Sequence, residues 1–282
     1  MNWILVPLEY AFMQRGLLAA TMVGVLCAVI GCYVVLRSMA FLGDAIAHAI
    51  LPGVAIAYLL NGNLTLGALV AALVIAIGIS IFSRRGTIKE DTAIGILFTA
   101  ALALGIAIIS SIRTYAVDLS HILFGNVLGV ENSDLLLTAI LGGVILITIL
   151  ICYRPFLIVS FDPLLARTLR LPVQFLRSLL LILIALTIVV SMQTVGVGLV
   201  AAMLVTPGAT AYLLTKRLPT MMALSGLFGA GSSVIGLYLS YYLNIASGAS
   251  IVLTATTFFI LTYLFSPRRG VLREWLNSKN HK

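Results

Sequence analysis

Residues 16–36 read Gly16-Leu-Leu-Ala-Ala-Thr-Met-Val-Gly-Val-Leu-Cys-Ala-Val-Ile-Gly-Cys-Tyr-Val-Val-Leu36. The run contains no charged side chain and only one threonine and one tyrosine with hydroxyl groups. A helix of about 20 mostly apolar residues is what crosses a hydrocarbon core of ~30 Å. Working outward, eight further runs have the same character: Ser38–Leu60, Leu64–Phe82, Thr92–Ser110, Asp134–Cys152, Leu179–Met192, Val195–Leu214, Met221–Tyr242 and Ser247–Phe265. The links between them are mostly short. Asn61-Gly62-Asn63 is a tight turn and Arg84–Asp91 a charged loop, whereas Ser111–Ser133 and Tyr153–Ser178 are longer. Composition agrees with this reading. Of 282 residues, 61% are hydrophobic and 9% charged, against about 25% charged in soluble domains. A soluble enzyme, a disordered protein and a nucleic-acid-binding domain are excluded, and the solvent for most of the chain is the lipid bilayer. The expected fold is an all-α integral membrane protein, a polytopic bundle of nine spans. The count falls to eight if the short run Leu179–Met192, which leads into Gly196-Val197-Gly198, belongs to a broken helix.

The net charge of +8 follows from the Lys and Arg that membrane proteins collect on cytoplasmic loops, so no nucleic-acid partner is expected. With the Arg84–Asp91 loop placed in the cytoplasm, nine alternating spans put 15 of the 17 Lys and Arg inside and leave Arg15 and Arg113 outside. The chain is one transmembrane domain over 1–282, with a helical core at 16–266, a cytoplasmic link at 154–177 and a basic cytoplasmic tail at 267–282. Cys27, Cys32 and Cys152 are scattered through apolar runs and read as small core hydrophobes. Met1–Met13 has Glu9 and no basic stretch, unlike a cleaved signal peptide.

A charge inside a spanning helix is costly, and each one is a functional hypothesis. Asp44 and His48 are the pair that stands out. With a helix starting at Ser38, they lie ~9 Å and ~15 Å along it. Their i, i+4 spacing puts both on one face. A carboxylate and an imidazole together suit a divalent cation such as Mn²⁺, Fe²⁺ or Zn²⁺. One such pair supplies two ligands, and two copies meeting at a symmetry axis supply four. The alternative is an internal hydrogen-bonded pair that locks helices together. Pro52, four residues on, deprives the His48 carbonyl of its helical partner and predicts a kink. Pro207 does the same for the Met203 carbonyl, so Pro52, Met203 and Pro207 are candidates for supporting a pathway. His121, with Asp118, Glu131 and Asp134 nearby, admits an outer cation funnel or a solvated connector.

In the cytoplasmic link, Asp162 followed by Pro163 is an N-cap with proline in the first helical position. A short helix, Leu164-Leu165-Ala-Arg167-Thr-Leu169-Arg170-Leu171, should follow and stop at Pro172. Its apolar and basic mixture suits docking to a partner, or rest on the membrane interface. No Gly-x-x-x-x-Gly-Lys-Ser/Thr run is present, so ATP hydrolysis by that device is absent. The pairs Gly226 with Ala230 and Gly229 with Ser233 fit close helix packing.

Several strings, taken in order, resemble the ABC-3 family, the membrane permeases of bacterial manganese, zinc and iron ABC importers. They are Gly43-Asp-Ala-Ile-Ala-His-Ala-Ile-Leu-Pro-Gly53, Asp91-Thr-Ala-Ile-Gly-Ile96, His121-Ile-Leu-Phe-Gly-Asn126, Ser160-Phe-Asp-Pro163, Met192-Gln-Thr-Val-Gly196 and Leu204-Val-Thr-Pro-Gly-Ala-Thr-Ala211. The match runs from about Gly16 to Pro267; Pro207-Gly-Ala-Thr departs from the family's common Pro-Ala-Ala-Thr. The resemblance implies a fold similar to type II ABC importers and a homodimer in the bacterial cytoplasmic membrane with its C-terminus inside. It implies two cytoplasmic ATP-binding subunits and an extracytoplasmic metal-binding lipoprotein or periplasmic protein. Asp44 and His48 match the family's cation-coordinating Asp-x-x-x-His. Asp162–Leu171 matches the helix that couples to the ATPase, including Asp162, Pro163, Leu164, Leu165, Arg167, Leu169 and Arg170. The string at 121–126 is most similar to the manganese branch. The chain would then be no enzyme and hold no permanent cofactor, only a transported divalent cation, with Mn²⁺ favoured. Two rivals use the same pair differently: a secondary metal/proton transporter independent of ATP, and a membrane-embedded metal enzyme.

Overall fold

The computed structural model describes residues 6–84, 88–111 and 127–266. Among them all regular structure is helical. After a short 3₁₀ turn at Val6–Glu9, the helices are α1 (Ala11–Leu36), α2 (Leu42–Ala49), α3 (Leu51–Leu59), α4 (Leu64–Ser83) and α5 (Glu90–Ser110). A 3₁₀ turn at Val127–Gly129 precedes α6 (Asn132–Ile151), α7 (Tyr153–Phe161), α8 (Pro163–Thr168), α9 (Val173–Val195), α10 (Val197–Leu214), α11 (Leu218–Leu243) and α12 (Ser247–Phe265). Counting α2 and α3 as one broken segment, nine among the described residues are long and apolar enough to span a membrane. The nine-span expectation stands. The short run at Leu179–Met192 lies in an unbroken helix that begins at Val173, earlier than Leu179, because its polar first turns are satisfied. Gln174 Nε2 donates to the Ser80 carbonyl at 3.2 Å, and the Ser178 and Ser80 hydroxyls lie 2.6 Å apart. Gly196, at φ 87° and ψ 162°, turns α9 directly into α10. Only glycine adopts that conformation without strain.

The helices are inside out by the standard of a soluble protein. On α4, Ala68, Ala72 and Ala76 are buried, while Leu66, Val70, Val74, Ile77 and Ile81 face outward. Lipid tails solvate the large side chains as well as a protein core does, so the small residues take the interior, where helices can approach closely. α1 and α9 are the most enclosed spans, and α1 packs against α6, α9, α10 and α11. Its contact with α11 is built from backbone. A Cβ added to Gly24 would lie 2.8 Å from the Gly229 carbonyl oxygen, and Ser233 donates to the Ala20 carbonyl at 2.9 Å. The Gly229/Ser233 pair thus packs as expected. Gly226 meets only ordinary contacts from Val25 and Val29.

Five residues separate the end of α1 at Leu36 from the start of α2 at Leu42, which corrects the expectation of a span from Ser38. Ser38 is left-handed (φ 56°). Its N–H donates to Val35 and the N–H of Met39 to Val34, at 3.1 and 3.0 Å. That double closure is the Schellman stop. The kink expected from Pro52 falls at Ile50, and Pro52 occupies the first turn of α3, where its missing N–H costs nothing. Asp44 therefore lies about 3 Å and His48 about 9 Å along α2, closer to its start than the ~9 and ~15 Å expected.

Candidate metal centre

α2 is enclosed by α4, α5, α9 and α10. All its residues are buried except Asp44 and His48, whose side chains are 44% and 34% exposed. The enclosure is tight on the far side, where a Cβ on Gly43 would meet Leu204 of α10 at 2.9 Å. A helix otherwise wrapped in protein thus opens at one stripe only, and that stripe carries its carboxylate and its imidazole.

His48 Nε2 and Asp44 Oδ1 are 3.5 Å apart. That is long for a hydrogen bond. It matches two ligands held about 2.1 Å from one cation at a tetrahedral angle, which stand about 3.4 Å apart. The internal lock fits poorly, because both side chains sit on one helix and remain open to the protomer surface. No group of three or more His, Cys, Asp or Glu occurs among the described residues. Asp44 and His48 offer two donor groups, short of the four ligands a structural cation site takes.

Residues that sequence reasoning missed complete the surroundings. Phe41, Asp44 and His48 follow one another at i, i+3 and i+7. Phe98 of α5 meets both ends of that stripe, with ring centroids 5.5 Å from Phe41 and 6.4 Å from His48. At the start of α5, Glu90 accepts from Arg37 Nη2 at 2.6 and 2.7 Å. The pair is largely enclosed, with side-chain exposures of 7% for Arg37 and 19% for Glu90. Burial pulls the Arg37 guanidinium below its ordinary pKa; Glu90 opposes that shift and nearby Arg177 adds to it. Arg37 Nη1 and Arg177 Nε find no hydrogen-bond partner among the described residues. The i+3 spacing of Phe41 was visible in the sequence; the arrival of α5 was not.

The remaining candidates sit elsewhere. Met203 and Pro207 are buried in α10. The Met203 sulfur faces α11, where the Ser232 hydroxyl lies 3.8 Å away, while Ala201 and Leu204 face α2 at Gly43. Met203 thus packs towards α11 rather than at the pair. Glu131 and Asp134 sit at the start of α6, where Asp134 accepts from the Glu131 N–H at 3.1 Å. His121 with the string 121–126, Asp118 and the tail 267–282 lie outside the described residues.

Asp162 caps α8, accepting from the N–H groups of Leu164 and Leu165 at 3.0 and 2.9 Å. The helix ends at Thr168, before the Leu171 expected. Arg170 is left-handed (φ 56°), and its N–H and that of Leu171 close onto Arg167 and Ala166, another Schellman stop. Ala166 is the only fully buried residue between Phe161 and Arg170. Leu164 is 72% exposed, and Leu165 and Leu169 stand out beside it.

The model of the ABC 3 transport family matches residues 9–266. The chain belongs to the ABC 3 transport family. It is a multi-pass membrane permease of that family. It is 50% identical over 275 residues to the manganese transport system membrane protein MntC of Halalkalibacterium halodurans, covering 98% of this chain and 94% of that one. It is 44% identical to the manganese import system permease protein ScaB of Streptococcus gordonii, over 94% of this chain and 95% of ScaB. Among solved structures, PsaBC from Streptococcus pneumoniae in complex with Fab superposes with a TM-score of 0.84 at 43% identity, covering 96% of this chain and 98% of that chain. Among ABC 3 transport family chains, then, this one is similar along nearly its whole length to permeases named for manganese.

Proposed function

We propose that this chain is the permease of an ATP-driven importer of divalent metal cations, with Mn²⁺ as the favoured substrate. The observation that carries the proposal is the Asp44/His48 half-site, 3.5 Å across and open on one stripe of an otherwise enclosed helix. A carboxylate exposed at membrane depth needs a partner or water. A second copy of the chain, bringing its own Asp44 and His48, completes the cation site and covers the stripe. Relatives such as MntC of Halalkalibacterium halodurans and ScaB of Streptococcus gordonii bear manganese in their names, and that supports the metal. The reading places the homodimer in the cytoplasmic membrane with its C-terminus inside, served by two ATP-binding subunits and an extracytoplasmic metal-binding protein. This chain itself performs no ATP hydrolysis.

Exposed α8 fits the ATPase contact. It carries leucines that neither the core nor the other described helices cover, held by a cap on one side and a Schellman stop on the other. Leu164→Asp should leave the permease folded, because the side chain is already exposed, and abolish co-purification of the ATPase. Asp162→Ala removes the cap, worth about 1 kcal/mol. In a helix of 6 residues that should uncouple ATP hydrolysis from transport without removing the permease from the membrane. Retention of the ATPase by Leu164→Asp would overturn this assignment.

The direct test is a metal-uptake panel in cells lacking the chain, complemented with it and supplied in turn with manganese, zinc and iron. Manganese uptake that returns with the chain and vanishes when ATP is withheld is the expected result. Uptake that persists without ATP would establish the secondary transporter instead.

A further inference from the structure

The way α5 is attached assigns a role to residues outside the cation site. α5 packs mainly on α2, α3 and α4 and leaves most of its surface exposed. Its contacts follow the broken helix in order. Glu90 grips Arg37 at 2.6 Å. Phe98 lies across Phe41 and His48. Gly105 presses on the break, where a Cβ would meet Leu51 at 2.8 Å and Pro52 at 3.1 Å. The first two lie towards the ends of α2 and α5 that the charge distribution places in the cytoplasm.

The geometry points to Phe98 as the inner gate of the Asp44/His48 site, and to the Arg37–Glu90 ion pair as the positioning latch that holds it shut. This rests on the reading of Asp44 and His48 as the cation site. Phe98 touches the two residues that flank Asp44 on its stripe, so a cation leaving towards the cytoplasm must displace the ring. An apolar ring offers no ligand to replace those lost, and apolar constrictions close pathways by excluding water. The latch lies at the cytoplasmic start of α5, eight residues before Phe98 and about 12 Å away along the helix. It ties α5 to the end of α1 by a low-exposure charge pair, which holds only while both partners are present. Swinging α5 outward breaks the pair and withdraws the ring in one motion.

The test uses membrane vesicles carrying the complete transporter, preloaded with radiolabelled manganese and deprived of ATP. Wild-type vesicles should retain the metal as well as vesicles without the permease. Phe98→Ala should release it about tenfold faster, and Phe98→Leu, which keeps apolar volume on α5, at an intermediate rate. Phe98→Trp should retain it. Adding Asp44→Ala to Phe98→Ala should stop the leak, because the metal then has no site to leave from. Glu90→Gln should leak several-fold, and the exchanged pair Arg37→Glu with Glu90→Arg should restore retention, a rescue that general destabilisation does not give. If Phe98→Ala and Phe98→Leu, present in the membrane at wild-type level, both retain manganese while Asp44→Ala abolishes ATP-driven uptake, the gate is wrong and the cation site stands. If Asp44→Ala leaves ATP-driven uptake intact, both fall.

Discussion

Alanine at Asp44 or at His48 should reduce manganese uptake to the level of cells lacking the chain, with the permease still present in the membrane. Each substitution removes one ligand per protomer, hence two from a site shared by two copies. Even residues that only support metal ligands contribute about 10- to 100-fold in affinity, so losing the ligands themselves should exceed 100-fold. Stability should be little affected. The two side chains are part-exposed and stand 3.5 Å from each other, and among the described residues neither hydrogen-bonds to the rest of the fold. Uptake and membrane abundance, measured on the same cells, separate these effects. Undiminished uptake with both single variants would remove the site assignment. Acidification should act in the same direction, because coordination needs an ionised carboxylate and a neutral imidazole.

The second large effect concerns assembly. Gly31→Leu should abolish the folded protein. A Cβ on Gly31 falls on the Leu204 carbonyl of α10, and a Cβ on Gly208 of α10 would in turn lie 3.2 Å from the Gly31 backbone. Neither obstacle is a side chain that can rotate away, so α1 and α10 must separate. Overpacking of this kind costs about 3 kcal/mol or more. The cost also reaches the site, since Leu204 is the residue against which Gly43 of α2 rests. Detergent-solubilised Gly31→Leu should run as aggregate in size-exclusion chromatography. Gly143→Ala, where nothing lies within 4 Å of the added Cβ, should elute as wild type. A monodisperse Gly31→Leu peak at wild-type yield would contradict the packing.

The spans were legible because lipid imposes a single demand over some 20 residues, and long apolar runs meet it without regard to neighbours. Their ends were less so. The stop at Ser38 and the stop at Arg170 use left-handed residues that are not glycine, so the usual signal was missing. The early start of α9 rests on a hydroxyl from α4, a partner that no local pattern announces. Asp44 and His48 stood out because charge is scarce in a span, and the i, i+4 spacing gave their common face. Glu131 and Asp134 admitted either an outer funnel or a connector, and the structure adds that they cap the start of α6 reciprocally.

The sequence by itself determined the all-helical membrane fold and singled out the pair of candidate ligands. These follow from composition and from periodicity along one chain. Tertiary structure alone decided that the pair lies on the single open stripe of an enclosed helix, and that Phe98 and Glu90 reach that region from 50 residues away. Which helix lies beside which depends on where glycines let backbones touch, and that is a property of two surfaces together rather than of either run alone.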